Sequence, residues 1–229
     1  MNLPRARYVC LEGLDGSGKS TTIDLVSSKL ESKGISFAVC NPTRRILDND
    51  WIEALFFRFK WMQRSSGLRA LVYARRSRWA ALNTDWSKPL VLGDRSIVTS
   101  YVTRWRRWID SPLLSVRVVD FLESTIPEPD VIFYLDAPHD LLMERLASRG
   151  REKDIDETPG RSMAMRSAYE EIVQGGYQPA RLAGTRFVRI QVVRGRPPED
   201  IASEIVDKIL ADLRGENKKG NSKSGSVSF

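Results

Sequence analysis

The stretch with the clearest chemical potential is the run of glycine, lysine and serine from Gly13 to Ser20. It fits G-x-x-x-x-G-K-[ST], the pattern of a phosphate-binding loop. Glycine permits backbone angles that turn successive N–H groups toward phosphate oxygens, and a following helix adds the positive end of its dipole. The lysine suits the β- and γ-phosphates of ATP, and the serine suits Mg²⁺. The predicted ATP site comprises Gly13, Asp15, Gly16, Ser17, Gly18, Lys19, Ser20 and Thr21.

The flanks of this loop carry the pattern of a buried strand followed by a helix. Residues 8–11 (YVCL) are apolar, and Ile23, Val26 and Leu30 recur at helical spacing after the loop. Further strands are expected at 36–40, 88–94, 130–136 and 187–193, with helical patterns between them. This alternation predicts an α/β fold, a P-loop NTPase with a five-stranded parallel sheet and helices on both faces.

Polar side chains stand where the predicted strands end. Residues 41–45 follow the second strand, Asp94 and Arg95 close the third, and Asp136 closes the fourth. In open parallel sheets, ligands bind beyond the carboxyl ends of the strands. We therefore expect these residues to surround the phosphate loop.

The chain is basic, with a formal charge of +7. Residues 54–84 contain no acidic residue but seven basic ones: Arg58, Lys60, Arg64, Arg69, Arg75, Arg76 and Arg78. This imbalance favours an anionic partner, which leaves open nucleic acid, an anionic surface or a small anionic substrate.

A helix is predicted over residues 68–82. One face gathers apolar side chains, with Arg75 near its middle: Leu68, Leu71, Val72, Trp79 and Leu82. A charge within an apolar stripe is costly unless it is paired. Arg75 is therefore expected to extend its charged end to solvent, to meet a carboxylate, or to point into an anion or base site.

The length of the chain indicates one domain. A chain of 229 residues suits a single core, expected over 1–214 with a mobile lid-like loop at about 149–160 and a disordered polar tail at 215–229. No apolar run approaches the ~20 residues that cross a bilayer, and the N-terminus leaves no room for a signal peptide. Cys10 and Cys40 end buried strands and are expected to be free thiols of a cytoplasmic protein.

Several segments together resemble the thymidylate kinase family of nucleoside monophosphate kinases. Residues 11–22 (LEGLDGSGKSTT) are similar to its F-E-G-x-[DE]-x-x-G-K-[ST], and residues 94–100 (DRSIVTS) to its D-R-[YH]-x-x-S. Residues 129–150 look like its P-D-x-x-x-x-L-D-x-P…R…R-G run, and residues 166–169 fit its R-x-x-Y. The resemblance spans residues 8–210. It implies transfer of the ATP γ-phosphoryl group to a nucleoside monophosphate, with dTMP, giving dTDP, as the expected acceptor.

The resemblance also implies roles for single residues, a Mg²⁺ cofactor and a homodimer. Phosphoryl transfer requires two anionic groups to be held in line while their negative charge is neutralised. The arginines of these motifs are suited to neutralise that charge. The implied catalytic residues are Lys19, Asp94, Arg95, Arg149 and Arg151, the last two from the lid. Arg145 and Arg194 would join the ATP site, and Ser20 and Asp94 would hold the metal. The implied acceptor-binding residues are Asp15, Arg44, Arg75, Arg76, Arg95, Thr99 and Ser100.

The sequence departs from the family pattern near the acceptor. Residues 41–44 read Asn-Pro-Thr-Arg where E-P-G or P-E-R is common, and Ser96 replaces the usual Tyr or His. The family's aromatic-x-x-x-Arg pair is absent, because Leu71 precedes Arg75 and Val72 precedes Arg76. A base–aromatic stack contributes ~1–3 kcal/mol. The sequence therefore leaves the acceptor's base open.

Three functions remain at this level. The first is a dTMP or related monophosphate kinase, and the second is a P-loop kinase of another small acceptor, such as a nucleoside or metabolite. The third is a non-catalytic protein that binds a nucleotide or nucleic acid, suggested by the basic residues 54–84. The enzyme is favoured over the non-catalytic protein because a basic surface for nucleic acid would not require Asp94, Arg95 and the lid arginines. Neither a membrane nor a nucleic-acid partner is expected for it.

Overall fold

The computed structural model describes residues 6–46, 50–105, 111–148 and 158–215. The predicted lid arginines Arg149 and Arg151, most of the lid and nearly all of the tail lie outside these ranges, so the division into domain and tail stays a prediction. The described elements are β1 (Arg7–Gly13), α1 (Lys19–Ser32), β2 (Phe37–Cys40), α2 (Trp51–Arg58), α3 (Lys60–Arg64), α4 (Ser66–Asn83), β3 (Leu90–Asp94), α5 (Ile97–Arg104), α6 (Pro112–Leu122), β4 (Val131–Asp136), α7 (His139–Ala147), α8 (Pro159–Val173), β5 (Arg186–Gln191) and α9 (Pro198–Leu213).

The described strands form one parallel sheet of five, in the order β2-β3-β1-β4-β5. The central strands β1, β3 and β4 are almost wholly buried because helices cover both faces of the sheet, which explains their uninterrupted apolar runs. The predicted fold class is thus confirmed.

The register brings the predicted polar residues to one edge of the sheet. Leu11 of β1 pairs with Asp94 at the end of β3, and Gly13 pairs with Leu135 near the end of β4. Because the strands are parallel, the residues that follow them emerge on the same side. The phosphate loop, Asp94 and Arg95 are neighbours for this reason.

Residues 51–64 form two short helices, α2 and α3. Asp50 caps α2 by accepting hydrogen bonds from the N–H groups of Ile52 (3.0 Å) and Glu53 (3.1 Å). Phe59 between the helices has φ −109° and ψ 105°, an extended conformation that ends α2. Within the described ranges, no helix is both long and apolar enough to span a bilayer.

Helix α4 presents its larger apolar residues to solvent. Leu71, Trp79 and Leu82 are 55%, 41% and 72% exposed, although their spacing predicts a core face. The face that packs inward carries smaller or polar side chains: Ala70, Val72, Ala74, Arg76, Ser77 and Ala80. Small side chains let the helix approach its neighbours closely, and the large apolar ones are left on the opposite side.

Candidate active site

The phosphate loop, residues 13–20, joins β1 to α1. Gly13 has φ +149°, and a Cβ added there would lie 2.8 Å from the carbonyl oxygen of Leu135. Gly18 caps α1 in the left-handed region, with φ +95°. Both positions therefore favour glycine strongly. The loop brings the first N–H groups of α1 to the carboxyl edge of the sheet, a geometry suited to an anion.

Lys19 is buried, and its ammonium group lies against the loop. Nζ donates hydrogen bonds to the carbonyl oxygens of Gly13 (2.8 Å) and Leu14 (2.7 Å), and it lies 3.7 Å from Asp15 Oδ1. Burial lowers the pKa of Lys19 to about 8, and the positive charge of Arg95 adds to that lowering. An incoming phosphate would offset the cost of keeping this cation out of water.

Arg95 approaches the loop from the neighbouring strand. Its guanidinium donates a hydrogen bond to Asp15 Oδ1, the same carboxylate oxygen that lies near Lys19. Burial is the largest single influence and acts to lower the pKa of Arg95, but Asp15, Tyr169, Glu12 and Tyr73 together outweigh it and raise the pKa above its ordinary value. Two cations thus converge on one acid at the end of β1.

The ends of β2 and β3 are tied together beside this pair. Asn41 Nδ2 donates to Asp94 Oδ2 at 2.7 Å, and the Thr43 N–H donates to Asn41 Oδ1 at 3.3 Å. Asp94 is close enough to Lys19 for its charge to favour the protonated ammonium. Arg44 follows β2 and is exposed. Asp94 and Arg44 therefore emerge from adjacent strands of the same sheet edge.

The predicted metal ligands fit a Mg²⁺ ion that binds with a nucleotide. Ser20 and Thr21 are exposed in the first turn of α1, and Asp94 is partly exposed. Across the described ranges, no group of three or more His, Cys, Asp or Glu side chains is arranged to hold a metal alone. Mg²⁺ usually takes one or two protein ligands and completes its shell with phosphates and water. A hydroxyl and a carboxylate are the donors such an ion prefers.

The two arginines predicted for ATP lie differently. Arg145 of α7 reaches the phosphate loop, where its NH1 donates to the carbonyl oxygen of Gly16 at 3.2 Å. Arg194 is on the surface beyond β5 and pairs with Asp140 (3.2 Å) and Glu144 (2.6 Å). Arg145 is therefore in contact with the loop, whereas the contacts of Arg194 are with acids of α7.

The arginines predicted for the acceptor's base on α4 are occupied by acids. Arg76 is buried and donates to both carboxylate oxygens of Glu53 at 2.6 Å, and its NH1 donates to the Thr43 carbonyl at 3.0 Å. Arg75 pairs with Asp50 at 2.6 Å. Both acids lie just before the stretch 54–84, whose lack of acids made it look like an open basic surface.

Thr99 and Ser100 point into the protein. The Thr99 hydroxyl donates to Glu12 at 2.9 Å, and the Ser100 hydroxyl is hydrogen-bonded to Glu123. Both residues are buried within α5. In these positions they hold α5 against its neighbours.

Sequence reasoning missed a small cleft between α4 and α5. Its volume is about 10 Å³, and it is lined by Ser66, Arg69, Tyr73, Thr103 and Arg104. The Arg104 guanidinium lies over the Tyr73 ring, 5.3 Å from its centre. The signal was present as an aromatic on α4, but Tyr73 precedes Ser77 rather than an arginine in the aromatic-x-x-x-Arg register. Its arginine comes from α5 instead.

A second missed residue is Glu12, which is fully buried in β1. It accepts hydrogen bonds from Ser96 and Thr99 at the start of α5 and from Tyr169 of α8, two segments far apart in the sequence. A carboxylate within an apolar strand is costly unless it is paired. The single acid at the end of the apolar run YVCLEG was the sequence feature that could have indicated a buried, hydrogen-bonded carboxylate.

Comparison with known proteins finds that the chain is similar to thymidylate kinases. The family model described as "Thymidylate kinase" matches residues 11–178, which include the loop, Asp94, Arg95 and Tyr169. A putative thymidylate kinase of Aeropyrum pernix is 27% identical, the match covering 90% of this chain and 97% of that protein. The thymidylate kinase of Leptospira borgpetersenii is also 27% identical, over 93% of this chain and 98% of that protein.

A solved structure is similar in fold. The thymidylate kinase of Candida albicans superposes with a TM-score of 0.61, covering 91% of this chain and 92% of that one, at 18% sequence identity. The two chains therefore share a fold.

Proposed function

The chain belongs to the thymidylate kinase family, and from this premise we infer that it transfers the γ-phosphoryl group of ATP to dTMP, giving dTDP. It is an ATP-dependent phosphotransferase. The supporting observation is the convergence of Lys19 and Arg95 on Asp15 at the edge of the sheet, inside the matched span. Two phosphate groups that repel each other require such opposed cations. Family membership favours the first of the three functions left by the sequence.

We assign the two substrates to opposite sides of Asp15. ATP would lie on the phosphate loop, with its β- and γ-phosphates at Lys19. Arg145, which contacts the loop at Gly16, would lie beside the bound ATP. The acceptor phosphate would meet Arg95, whose planar fork suits two phosphate oxygens, and the exposed Arg44. When the phosphates bind Lys19 and Arg95, Asp15 would lose its contacts with these two cations and would contact polar groups of the substrates instead.

Mg²⁺ is the proposed cofactor, with Ser20 and Asp94 as the residues that hold it. Bound there, the ion would neutralise developing charge on the β- and γ-phosphates. The hydrogen bond that Asn41 Nδ2 donates to Asp94 Oδ2 fixes one carboxylate oxygen, so the chain just after β2 orients the carboxylate. Arg149 and Arg151, outside the described residues, remain the proposed lid cations.

The cleft between α4 and α5 is proposed for the acceptor's base. At about 10 Å³ it admits little more than a water molecule, so the base must displace Tyr73, Arg69 or Arg104 on entry. Among the described residues that line it, none is acidic, and the two guanidiniums are donors only. Thymine and uracil offer two carbonyl oxygens to these donors, whereas cytosine offers one, and no carboxylate among the described lining residues would accept from its amino group.

A homodimer in the cytoplasm completes the proposal. The exposed apolar side of α4 continues across an apolar groove of about 580 Å³ onto α6, lined by Leu68, Leu71, Leu114, Val118 and Leu122. Contiguous exposed apolar surface often marks a protein contact. The buried free thiols Cys10 and Cys40 fit a reducing compartment.

A coupled ADP-release assay over dTMP, dUMP, dCMP, dAMP and dGMP, with ATP and Mg²⁺, tests the function. We expect turnover with dTMP and dUMP, and kcat/KM at least tenfold lower with dCMP, because its amino group would face cations. Bound ATP measured separately controls for an inactive preparation. ATP binding without turnover of any monophosphate would contradict the proposed kinase, and robust turnover of a different acceptor would select the second function.

A further inference from the structure

Glu12 is a buried carboxylate that accepts four hydrogen bonds, three from the start of α5 and one from α8. Oε1 accepts from the Ser96 N–H and the Ser96 hydroxyl, both at 2.7 Å. Oε2 accepts from the Thr99 hydroxyl at 2.9 Å and the Tyr169 hydroxyl at 2.8 Å. An ionised carboxylate with four donors is well satisfied, which is what allows a charge to remain buried. Glu12 directly precedes Gly13, the first residue of the phosphate loop.

The residue between these anchors, Arg95, has a strained backbone. Its φ is +75°, in the left-handed region that residues other than glycine seldom adopt. Such a conformation costs of order 1–3 kcal/mol and persists only where the surroundings over-determine it.

Two successive bonds to β1 impose that conformation. The Arg95 N–H donates to the carbonyl oxygen of Leu11 at 3.1 Å, and the next N–H, that of Ser96, donates to the Glu12 carboxylate. The peptide groups on both sides of Arg95 are therefore held by adjacent residues of one strand. With its backbone fixed in this way, Arg95 directs its guanidinium at Asp15 instead of into solvent.

Glu12 also acts on the charges of the site. Its negative charge raises the pKa of both Lys19 and Arg95, although by less than the charge of Asp15 does. Burial opposes those charges, so a fixed buried anion nearby partly offsets the cost of assembling two cations in one place.

We propose that Glu12 is a positioning residue, which holds Arg95 in its left-handed conformation so that the guanidinium is preset for the acceptor phosphate. This inference rests on the proposed function and deepens it, because it assigns a duty to a residue that contacts no substrate. It also links the acceptor arginine to α8 through Tyr169.

The test substitutes Glu12→Gln and compares a nucleotide with its nucleoside. Binding of dTMP and of thymidine is measured by calorimetry without ATP, and the KM values for dTMP and ATP are measured separately. Glutamine keeps the length but turns the charge-assisted bonds from Ser96 into neutral ones, which are roughly half as strong. We expect dTMP affinity to fall about tenfold, thymidine affinity to stay within about twofold, and the KM for ATP to change little. Arg95→Ala should show the same pattern more strongly.

Glu123→Gln is the matched control, since Glu123 is another buried carboxylate that accepts from a serine hydroxyl but lies away from the loop. It should leave the ratio of dTMP affinity to thymidine affinity unchanged, and thermal unfolding checks that each variant is folded.

If the role of Glu12 were purely structural, Glu12→Gln would reduce the folded fraction and would lower the affinities for both dTMP and thymidine or for neither. A wild-type enzyme active on dTMP with an unchanged ratio in Glu12→Gln would overturn the positioning role alone. A wild-type protein that neither binds nor phosphorylates dTMP would overturn the proposed function and this inference with it.

Discussion

Asp15 lies between the two cations on which the proposed chemistry depends. Lys19 Nζ is 3.7 Å from its Oδ1, and the Arg95 guanidinium donates to the same oxygen. The two cations repel each other, as the lowering of the Lys19 pKa by Arg95 indicates. The arrangement therefore favours anions that can be shared between them, and a phosphoryl group in transit is such an anion.

At the residue scale, we predict that Lys19→Ala abolishes transfer. The substitution removes the cation closest to the loop carbonyls, and loss of one buried charge donor to a transition state costs on the order of 10²–10³-fold in kcat. Steady-state assays with saturating ATP and dTMP measure it. Lys33→Ala, at the exposed end of α1, is the control and should retain the wild-type rate. Near-normal turnover in Lys19→Ala would be incompatible with the assigned role.

At the scale of elements, buried acids join helices that the sequence presents separately. Glu53 of α2 holds Arg76 of α4, and the same arginine bonds to the chain after β2 through Thr43. Glu123 at the end of α6 accepts from Ser77 of α4 and is hydrogen-bonded to Ser100 of α5. Removing one partner of such a pair leaves an uncompensated polar group or charge, which is costlier than the pair itself is worth. The packing of α4 therefore depends on polar contacts as well as on its small apolar residues.

The Glu123 carboxyl makes the stability of this junction depend on pH. Burial raises the pKa of Glu123 above its ordinary value, although the hydroxyls of Ser100 and Ser77 act against it. The folded state therefore holds this proton more tightly than the unfolded state. The stability that results is complete below the unfolded pKa and is lost as pH rises through the folded pKa.

We predict that Glu123→Gln flattens this dependence. A glutamine keeps the shape without the ionisation, so the variant should gain in melting temperature relative to wild type as pH rises from 4.5 to 7.5. Thermal unfolding followed by circular dichroism across that range measures the difference. Asp85→Asn on the exposed turn before β3 serves as control and should show no such rising gain. A constant offset between Glu123→Gln and wild type would contradict the raised pKa.

At the scale of the whole molecule, the apolar side of α4 and α6 is left uncovered by the part of the chain that the structure describes. Phe121 is 81% exposed and Leu71 55% exposed, and each would stabilise a contact by about 1.5–3 kcal/mol if fully buried. Arg75, in the middle of the α4 stripe, is already neutralised by Asp50 and so does not oppose burial of the face. These features suit a self-complementary interface between two copies.

We predict that Phe121→Glu converts a dimer into a monomer, because a buried pair of introduced carboxylates would repel across a two-fold axis. Sedimentation velocity at micromolar concentration, with dTMP turnover in parallel, measures the change. Trp61→Glu, on the exposed side of α3, is the matched control and should leave the mass unchanged. A wild-type protein that sediments as a monomer would rule out this interface.

The sequence alone determined what depends on neighbours along the chain. The phosphate loop is a local pattern of glycine, lysine and serine, and the buried strands are short apolar runs, so the loop, the sheet and the edge with Asp94 and Arg95 were all predictable. Helix boundaries in 51–64 were less so, because Phe59 breaks the helix without glycine or proline.

Only the tertiary structure decided which distant groups meet. Glu12 and Tyr169 are 157 residues apart, Arg95 and Asp15 are 80 apart, and Arg76 and Glu53 are 23 apart. No periodicity encodes those pairings, because each results from how strands and helices are ordered in space. The outward face of α4 follows the same rule: spacing grouped its apolar residues on one side, but only the packing of small residues against α5 and α6 decided that this side faces outward.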